Sequence, residues 1–217
     1  MKVQPQPSPG LYPRSVLPPH AQPSERKVYE ALASALPAGW SAWHLLKIRI
    51  KAGEFSEADF VIADPARGIL VLEVKGGIVR KQDGVWFQNE RPMKMLPLDQ
   101  AHRFVRVLLA KCKEREIALP PIGVAAVFPD TEFESQPTQG DLEGLVLGAR
   151  ELLYMEELLP GLFERALPAG MRRRPSQEWT AFLHALWCES WPAAMNFLAR
   201  RGVGRALEGL RLRHGDR

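Results

Sequence analysis

Three ionisable residues, Asp59, Glu73 and Lys75, are spaced so that two neighbouring strands would deliver them to one place. Residues 57–63 and 69–75 are short runs rich in apolar and β-branched side chains, which predicts strands. Between them Asp64-Pro65-Ala66-Arg67-Gly68 is turn chemistry, with Pro pre-setting φ and Gly free to take φ > 0. The pattern predicts an antiparallel hairpin. With the five turn residues looped out, Ala63 faces Ile69, Val61 faces Val71 and Asp59 faces Glu73. Side chains alternate along a strand, so Glu73 and Lys75 share the face of Asp59, while Phe60, Ile62, Leu70, Leu72 and Val74 share the other. Two carboxylates beside a lysine offer hard oxygen donors to a cation and a group that can orient or deprotonate a water. The plainer alternative is a cross-strand ion pair at the solvated end of a sheet, which contributes little. Both faces are otherwise apolar, so the strands read as central ones covered on both sides, where stray charge is costly.

The elements around this hairpin must position it. Ser24 reads as the N-cap of a helix running to about Leu36, with Val28, Leu32 and Leu36 as its apolar stripe and Tyr29 and Ala33 alongside. Glu25 falls on that stripe. It either complements the helix dipole in the first turn or leans over the hairpin site. A strand is expected over residues 40–50. After Lys75, Gly76-Gly77 breaks the pattern and lets backbone or ligand approach closely, and a second hairpin follows over residues 78–87. A helix is expected from Pro97 to about Glu116, its core stripe Ala101, Phe104, Val105, Leu108 and Cys112. Gln100 borders that stripe and is either solvated or in reach of the site. Residues 122–128 are a buried strand following a helix, as in an α/β unit. A brief strand at 145–147, a helix at about 151–159 and a Ser176-capped helix carrying Trp179, Phe182, Leu183, Leu186 and Trp187 complete the pattern. Those aromatics read as core, not as a stacking platform for bases.

Composition places the chain among ordinary globular proteins: 217 residues, 46% hydrophobic and 25% charged, enough for one good core. Seven prolines before residue 24 and no periodicity predict an extended N-terminal arm, partly disordered or laid over the surface. No membrane span or secretory leader is read. Cys112 and Cys188 lack CxxC or Cys/His spacing, which argues against zinc or a disulfide framework and fits a reducing cytoplasm. The five histidines show no ligand spacing, and only His102, beside Gln100, is placed to touch a phosphate. A net charge of +4 permits a phosphate-bearing partner without demanding one. The cluster Arg172-Arg173-Arg174 and the basic tail are either nucleic-acid contacts or solvated surface.

The order of a helix with Glu25, a hairpin with Asp59 and Glu73-Val74-Lys75, and a helix with Gln100 resembles the NERD (nuclease-related) domain, a branch of the PD-(D/E)XK nuclease superfamily. The matching text is Ser24-Glu25-Arg26-Lys27-Val28-Tyr29-Glu30-Ala31-Leu32, Glu57-Ala58-Asp59-Phe60, Leu72-Glu73-Val74-Lys75-Gly76-Gly77 and Pro97-Leu98-Asp99-Gln100-Ala101. Ser24 stands where the family usually has Gly.

The resemblance implies an α/β fold with a restriction-endonuclease-like core, a mixed sheet of about four strands flanked by helices. A domain over residues 24–160 would lie between the arm, 1–23, and a basic helical extension, 161–217. It implies Mg²⁺- or Mn²⁺-dependent hydrolysis of phosphodiester bonds in nucleic acid, DNA first, or a binding module that kept the fold without the chemistry. Asp59, Glu73 and the Val74 backbone carbonyl would hold the metal. Glu25 would hold a second metal or its water, Lys75 would act on the attacking water, and Gln100 would position Lys75 or the phosphate. Segments of this family often precede helicase-like or kinase-like modules. This sequence carries no Walker A pattern, so the resemblance leaves any helicase-type motor to a partner or to a fused module outside it.

Overall fold

A computed structural model describes residues 8–14, 17, 21–133, 144–168 and 178–200, the last ten as helix backbone alone. Its centre is a six-stranded mixed sheet in the order β1-β2-β3-β4-β8-β9. The strands are β1 (Gly10–Tyr12), β2 (Ser41–Lys51), β3 (Glu54–Asp64), β4 (Gly68–Val74), β8 (Ile122–Val127) and β9 (Val146–Leu147). Four long strands form the middle, and the two edges are very short, which limits open-edge pairing. A separate three-stranded antiparallel sheet, β5 (Val79–Gln82), β6 (Val85–Gln88) and β7 (Arg91–Pro92), follows β4.

The hairpin register is the expected one. Phe60 pairs with Leu72, Val61 with Val71, Ile62 with Leu70 and Ala63 with Ile69. The loop is shorter than five residues, because Asp64 still pairs with Gly68. The Asp64 carboxylate accepts the Ala66 amide at 2.8 Å, an Asx turn that closes the reversal. Alternation along β3 and β4 sends Phe60, Ile62, Leu70, Leu72 and Val74 into one core and Val61, Ala63, Ile69 and Val71 into another. Both faces are therefore covered.

Helices α1 (Pro23–Ala35) and α4 (Met155–Ala166) cover the first face. Val28, Leu32 and Ala35 at i, i+4, i+7 are its buried stripe, while Ala33 is exposed and Leu36 is the extended C-cap. Gln22, not Ser24, is the N-cap, because Pro23 takes N1 where its missing N–H costs nothing. The other face is covered by α2 (Pro97–Glu114) and α5 (Glu178–Arg200). From α5, Trp179, Phe182, Leu183, Leu186 and Trp187 are core, each burial on the order of 1.5–3 kcal/mol. The expected helix cap at Ser176 and the cluster Arg172–Arg174 lie outside the described residues.

Part of the N-terminal arm is laid along the sheet. β1 pairs parallel with β2, and Tyr12 stacks on Trp43 with centroids 6.2 Å apart. The single helix expected at 151–159 is two helices, α3 (Ala149–Leu152) and α4. Glu151 accepts the Gly148 amide at 2.9 Å and starts the first of them. The second runs through Pro160-Gly161, which reads as a stop in sequence. Leu159, Leu162 and Phe163 are fully buried, and that burial offsets a proline penalty of about 3 kcal/mol.

Candidate active site

β4 ends where the chemistry is. Its parallel neighbour β8 keeps the backbone in the sheet one residue past the strand, the Lys75 amide donating to the Val127 carbonyl at 2.9 Å. Glu73 and Lys75 continue the face of Ile69 and Val71, toward the core beneath α2. Across from them the ladder of β3 stops at Phe60, and the Asp59 side chain takes over. Asp59 Oδ2 accepts the Val74 N–H at 2.7 Å. Lys75 Nζ donates to Glu73 Oε1 at 2.6 Å and to Gln100 Oε1 at 2.9 Å. Gln100 is there because α2 starts at Pro97 and docks on the sheet through Ala101, Phe104 and Leu108. Asp59, Glu73, Lys75 and Gln100 are thus brought together, with the Val74 peptide between the carboxylates.

This is not an ion pair at a wet sheet end, since the Glu73 side chain is only 2% exposed and that of Lys75 16%. Burial, the nearby Asp59 charge and only partial relief by Lys75 push the Glu73 carboxyl up to about 7. Asp59 is pushed up to about 6, first by burial, against the Val74 hydrogen bond, with the charge of Glu25 adding to the effect. Two carboxylates share one corner with a single ammonium, and the corner lacks positive charge.

Glu25 comes from the other face of the sheet. Its Oε2 lies 2.7 Å from Nε2 of His44, a residue of β2 that is fully buried against Phe60. The helix glutamate is therefore held by a histidine while still bearing electrostatically on Asp59. His44 pairs with Phe60 and Leu46 with Ala58, yet Leu45, at φ 56°, forms no pair with Asp59 opposite. Left-handed backbone at a leucine is strained, and here it faces the carboxylate.

The segment after Lys75 is tied down by three side chains, two from the loop after β8 and one from β6. The Gly77 amide donates to Asp130 at 2.7 Å, the Thr131 hydroxyl donates to the Gly77 carbonyl at 3.0 Å, and Gln88 donates to the Gly76 carbonyl at 2.7 Å. Burial opposes it, but the Lys27 ammonium at 2.5 Å and the Gly77 amide hold the Asp130 carboxyl below its ordinary value. A Cβ on Gly76 would lie 2.6 Å from Ser24 Oγ. A Cβ on Gly77, at φ 76°, would lie 2.1 Å from Asn89 Oδ1. Gly77→Ala is therefore expected to cost about 1–2 kcal/mol in urea unfolding and to slow any reaction that needs Lys75 in place.

Sequence reasoning missed His44, Asp130 and Thr131. For Asp130 a signal existed: it follows a strand parallel to β4, and the carboxyl ends of parallel neighbours converge. For His44 the signal was weaker, a polar residue set inside the apolar run from Ala42 to Leu46. His102 is exposed and takes no part in the contacts of this site.

The family model described as nuclease-related domain matches residues 21–129, half of the chain. The chain belongs to the nuclease-related domain family. No curated protein and no solved structure matches it. The nuclease-related domain match spans all five candidate residues, Glu25, Asp59, Glu73, Lys75 and Gln100. Asp130 and Thr131 fall just past its end, and α4 and α5 lie outside it. The mixed sheet flanked by helices is the PD-(D/E)XK-like fold of this domain.

The donor set suits a hard divalent cation. Among the described residues no three His, Cys, Asp or Glu side chains come together as a metal-binding group. An all-protein cage is therefore not built, and Glu25 does not close with Asp59 and Glu73 into a three-carboxylate cluster. Mg²⁺ is held elsewhere by one or two carboxylates plus waters and substrate phosphate, and a corner with two carboxylates and surplus negative charge fits that pattern. Among the described residues no helix is long and apolar enough to cross a membrane.

Proposed function

We propose that this protein is a divalent-metal-dependent nuclease that hydrolyses phosphodiester bonds in DNA. The observation carrying the reading is a half-buried lysine fixed between Glu73 and Gln100, next to a second carboxylate fixed on the Val74 amide. Asp59, Glu73 and the Val74 carbonyl would hold Mg²⁺ or Mn²⁺. The metal, when bound, supplies an acidified water and charge neutralisation at the phosphate. Lys75, its Nζ already donating to Glu73 and Gln100, orients the attacking water with its remaining N–H, and its positive charge meets charge growing on the phosphoryl oxygens. Gln100 offers Lys75 only an acceptor, so the ammonium keeps its direction without being neutralised. Glu25, braced by His44, adds negative potential at Asp59 and favours cation binding there.

Plasmid nicking with Mg²⁺ or Mn²⁺ checks this reading. Wild type is expected to nick, and Lys75→Ala to lose about 10²–10³-fold in rate, the usual size of losing one preorganised donor to transition-state charge. DNA binding without cleavage in the wild type would replace the enzyme by a binding module that kept the fold.

A further inference from the structure

We propose that the cleft beside Lys75 takes a single polynucleotide strand, not an intact duplex, and that Arg91 and Lys94 hold its phosphates next to the scissile bond. This rests on the nuclease reading and names the form of substrate for the same site. The open cleft has a volume of ≈ 740 Å³ and is lined by Lys75 and Gln100 together with the β6–β7 turn and the segment leading into α2. Sites of about 300–1,000 Å³ enclose one drug-sized ligand, which is the scale of a nucleotide or two and far below a duplex.

The depth of the centre argues the same way. Lys75 and Glu73 side chains are 16% and 2% exposed, while Arg91 and Lys94 stand exposed at the cleft. A stiff duplex carries its phosphates on a convex surface and meets the exposed residues first. A single strand bends, and it can lower one phosphate past Arg91 and Lys94 to the recessed lysine.

The basic groups are also placed and uncommitted. Lys27, Lys47, Arg67, Arg80 and Lys111 are each bonded to a carboxylate. Arg91 and Lys94 have no ion-pair partner among the described residues. Arg91 stands on a fixed support, since it pairs with Gln88 across Asn89-Glu90, both left-handed at φ 48° and 64°, in the tight turn that suits a hairpin. The Asn89 side chain accepts the Ile78 amide at 2.9 Å and ties that turn to the segment leaving Lys75. Met93 and Met95 line the same cleft and give soft apolar surface to sugars and base edges without reading sequence.

Fluorescence anisotropy in EDTA tests the proposal, using labelled oligothymidylate and a blunt duplex of the same length across a salt series. Wild type is expected to bind the oligonucleotide at least ~10-fold tighter than the duplex. Arg91→Ala/Lys94→Ala should weaken oligonucleotide binding ~10-fold or more and reduce the slope of log K against log salt by about 1.4, two phosphate contacts at ~0.7 each. Arg106→Ala, an exposed change on α2 away from the cleft lining, is the control. Equal or tighter duplex binding, or an unchanged affinity and slope in the double variant, would overturn the proposal. Binding is read without metal, so the two readings fail separately. Strand binding that depends on Arg91 and Lys94 but never leads to cleavage sinks the hydrolytic reading alone. Cleavage with an unchanged salt slope sinks this one alone.

Discussion

Glu73→Gln is expected to lower metal-dependent strand cleavage by about 10³-fold while leaving the metal-free protein at least as stable as the wild type at neutral pH. The amide keeps the shape of the side chain and an oxygen to accept the Lys75 hydrogen bond now made at 2.6 Å. What it removes is charge. On the catalytic side, several kcal/mol of charge stabilisation depend on holding the metal, and about 1.4 kcal/mol corresponds to each tenfold in rate. On the stability side, the carboxylate sits nearly dry beside Asp59 and is pushed up to about 7, so ionising it near neutral pH costs the fold free energy. Lys75 keeps Gln100 and the nearby Asp59 charge as partners. The opposite pairing of results, full activity with lost stability, would make Glu73 a structural counter-ion to Lys75.

The second large effect is on stability against pH. In EDTA the protein is expected to lose stability as pH rises from about 4 toward 7, with recovery on adding Mn²⁺ at pH 7.5. Asp59 and Glu73 lie at about 6 and about 7 in the folded chain, against ordinary values of 3.8 and 4.5. Between those limits the folded chain holds protons that the unfolded chain has released, so the slope of unfolding free energy with pH is negative. Their contribution is fully present below the ordinary values and is gone once pH passes the folded ones. At ~1.4 kcal/mol per pKa unit the swing is on the order of a few kcal/mol for the coupled pair. Asp130 runs the other way, but its carboxyl lies below 3.8, so its loss falls at more acid pH, outside this window. Metal binding only the folded form stabilises by ~2.7 kcal/mol at a hundredfold excess over Kd, and much less at pH 5, where protons compete for the same oxygens. Melting temperatures across pH, with EDTA and with Mn²⁺, read both arms. A metal-free curve that rises with pH from 4 to 7 would contradict the assignment.

Sequence carried the hairpin because three independent signals agreed there: β-branched runs, a Pro/Gly turn and apolar alternation that survives on both faces. A slip of one residue would have put Asp59 on the Phe60 face, so the pattern fixed the register. The ladder nevertheless ends at Phe60–Leu72, and Asp59 turns its carboxylate to the Val74 amide, where its charge still reaches Glu73. Gln100 was legible as a border residue but its partner was not, since reaching Lys75 depends on where α2 docks. Pro23 and Pro160 show the limits of local rules. One took a helix start from the expected Ser24 cap, and the other sits inside α4 because buried Leu159, Leu162 and Phe163 outweigh it. The role of His44 was not legible because its partner, Glu25, lies on a helix packed against the opposite face from Lys75. Such a contact is set by the angle between α1 and the sheet, which no spacing encodes. The three-residue strand β1 is too short for any periodicity, and its place follows from Tyr12 packing on Trp43.

Anomalous diffraction from a crystal soaked in Mn²⁺ weighs most on the whole reading. A peak is expected at bonding distance from carboxylate oxygens of both Asp59 and Glu73, absent from a Glu73→Gln crystal soaked the same way. A soaked crystal with Lys75 still on Glu73 and no density at that corner, or with the ion bound elsewhere and indifferent to Glu73, would contradict it.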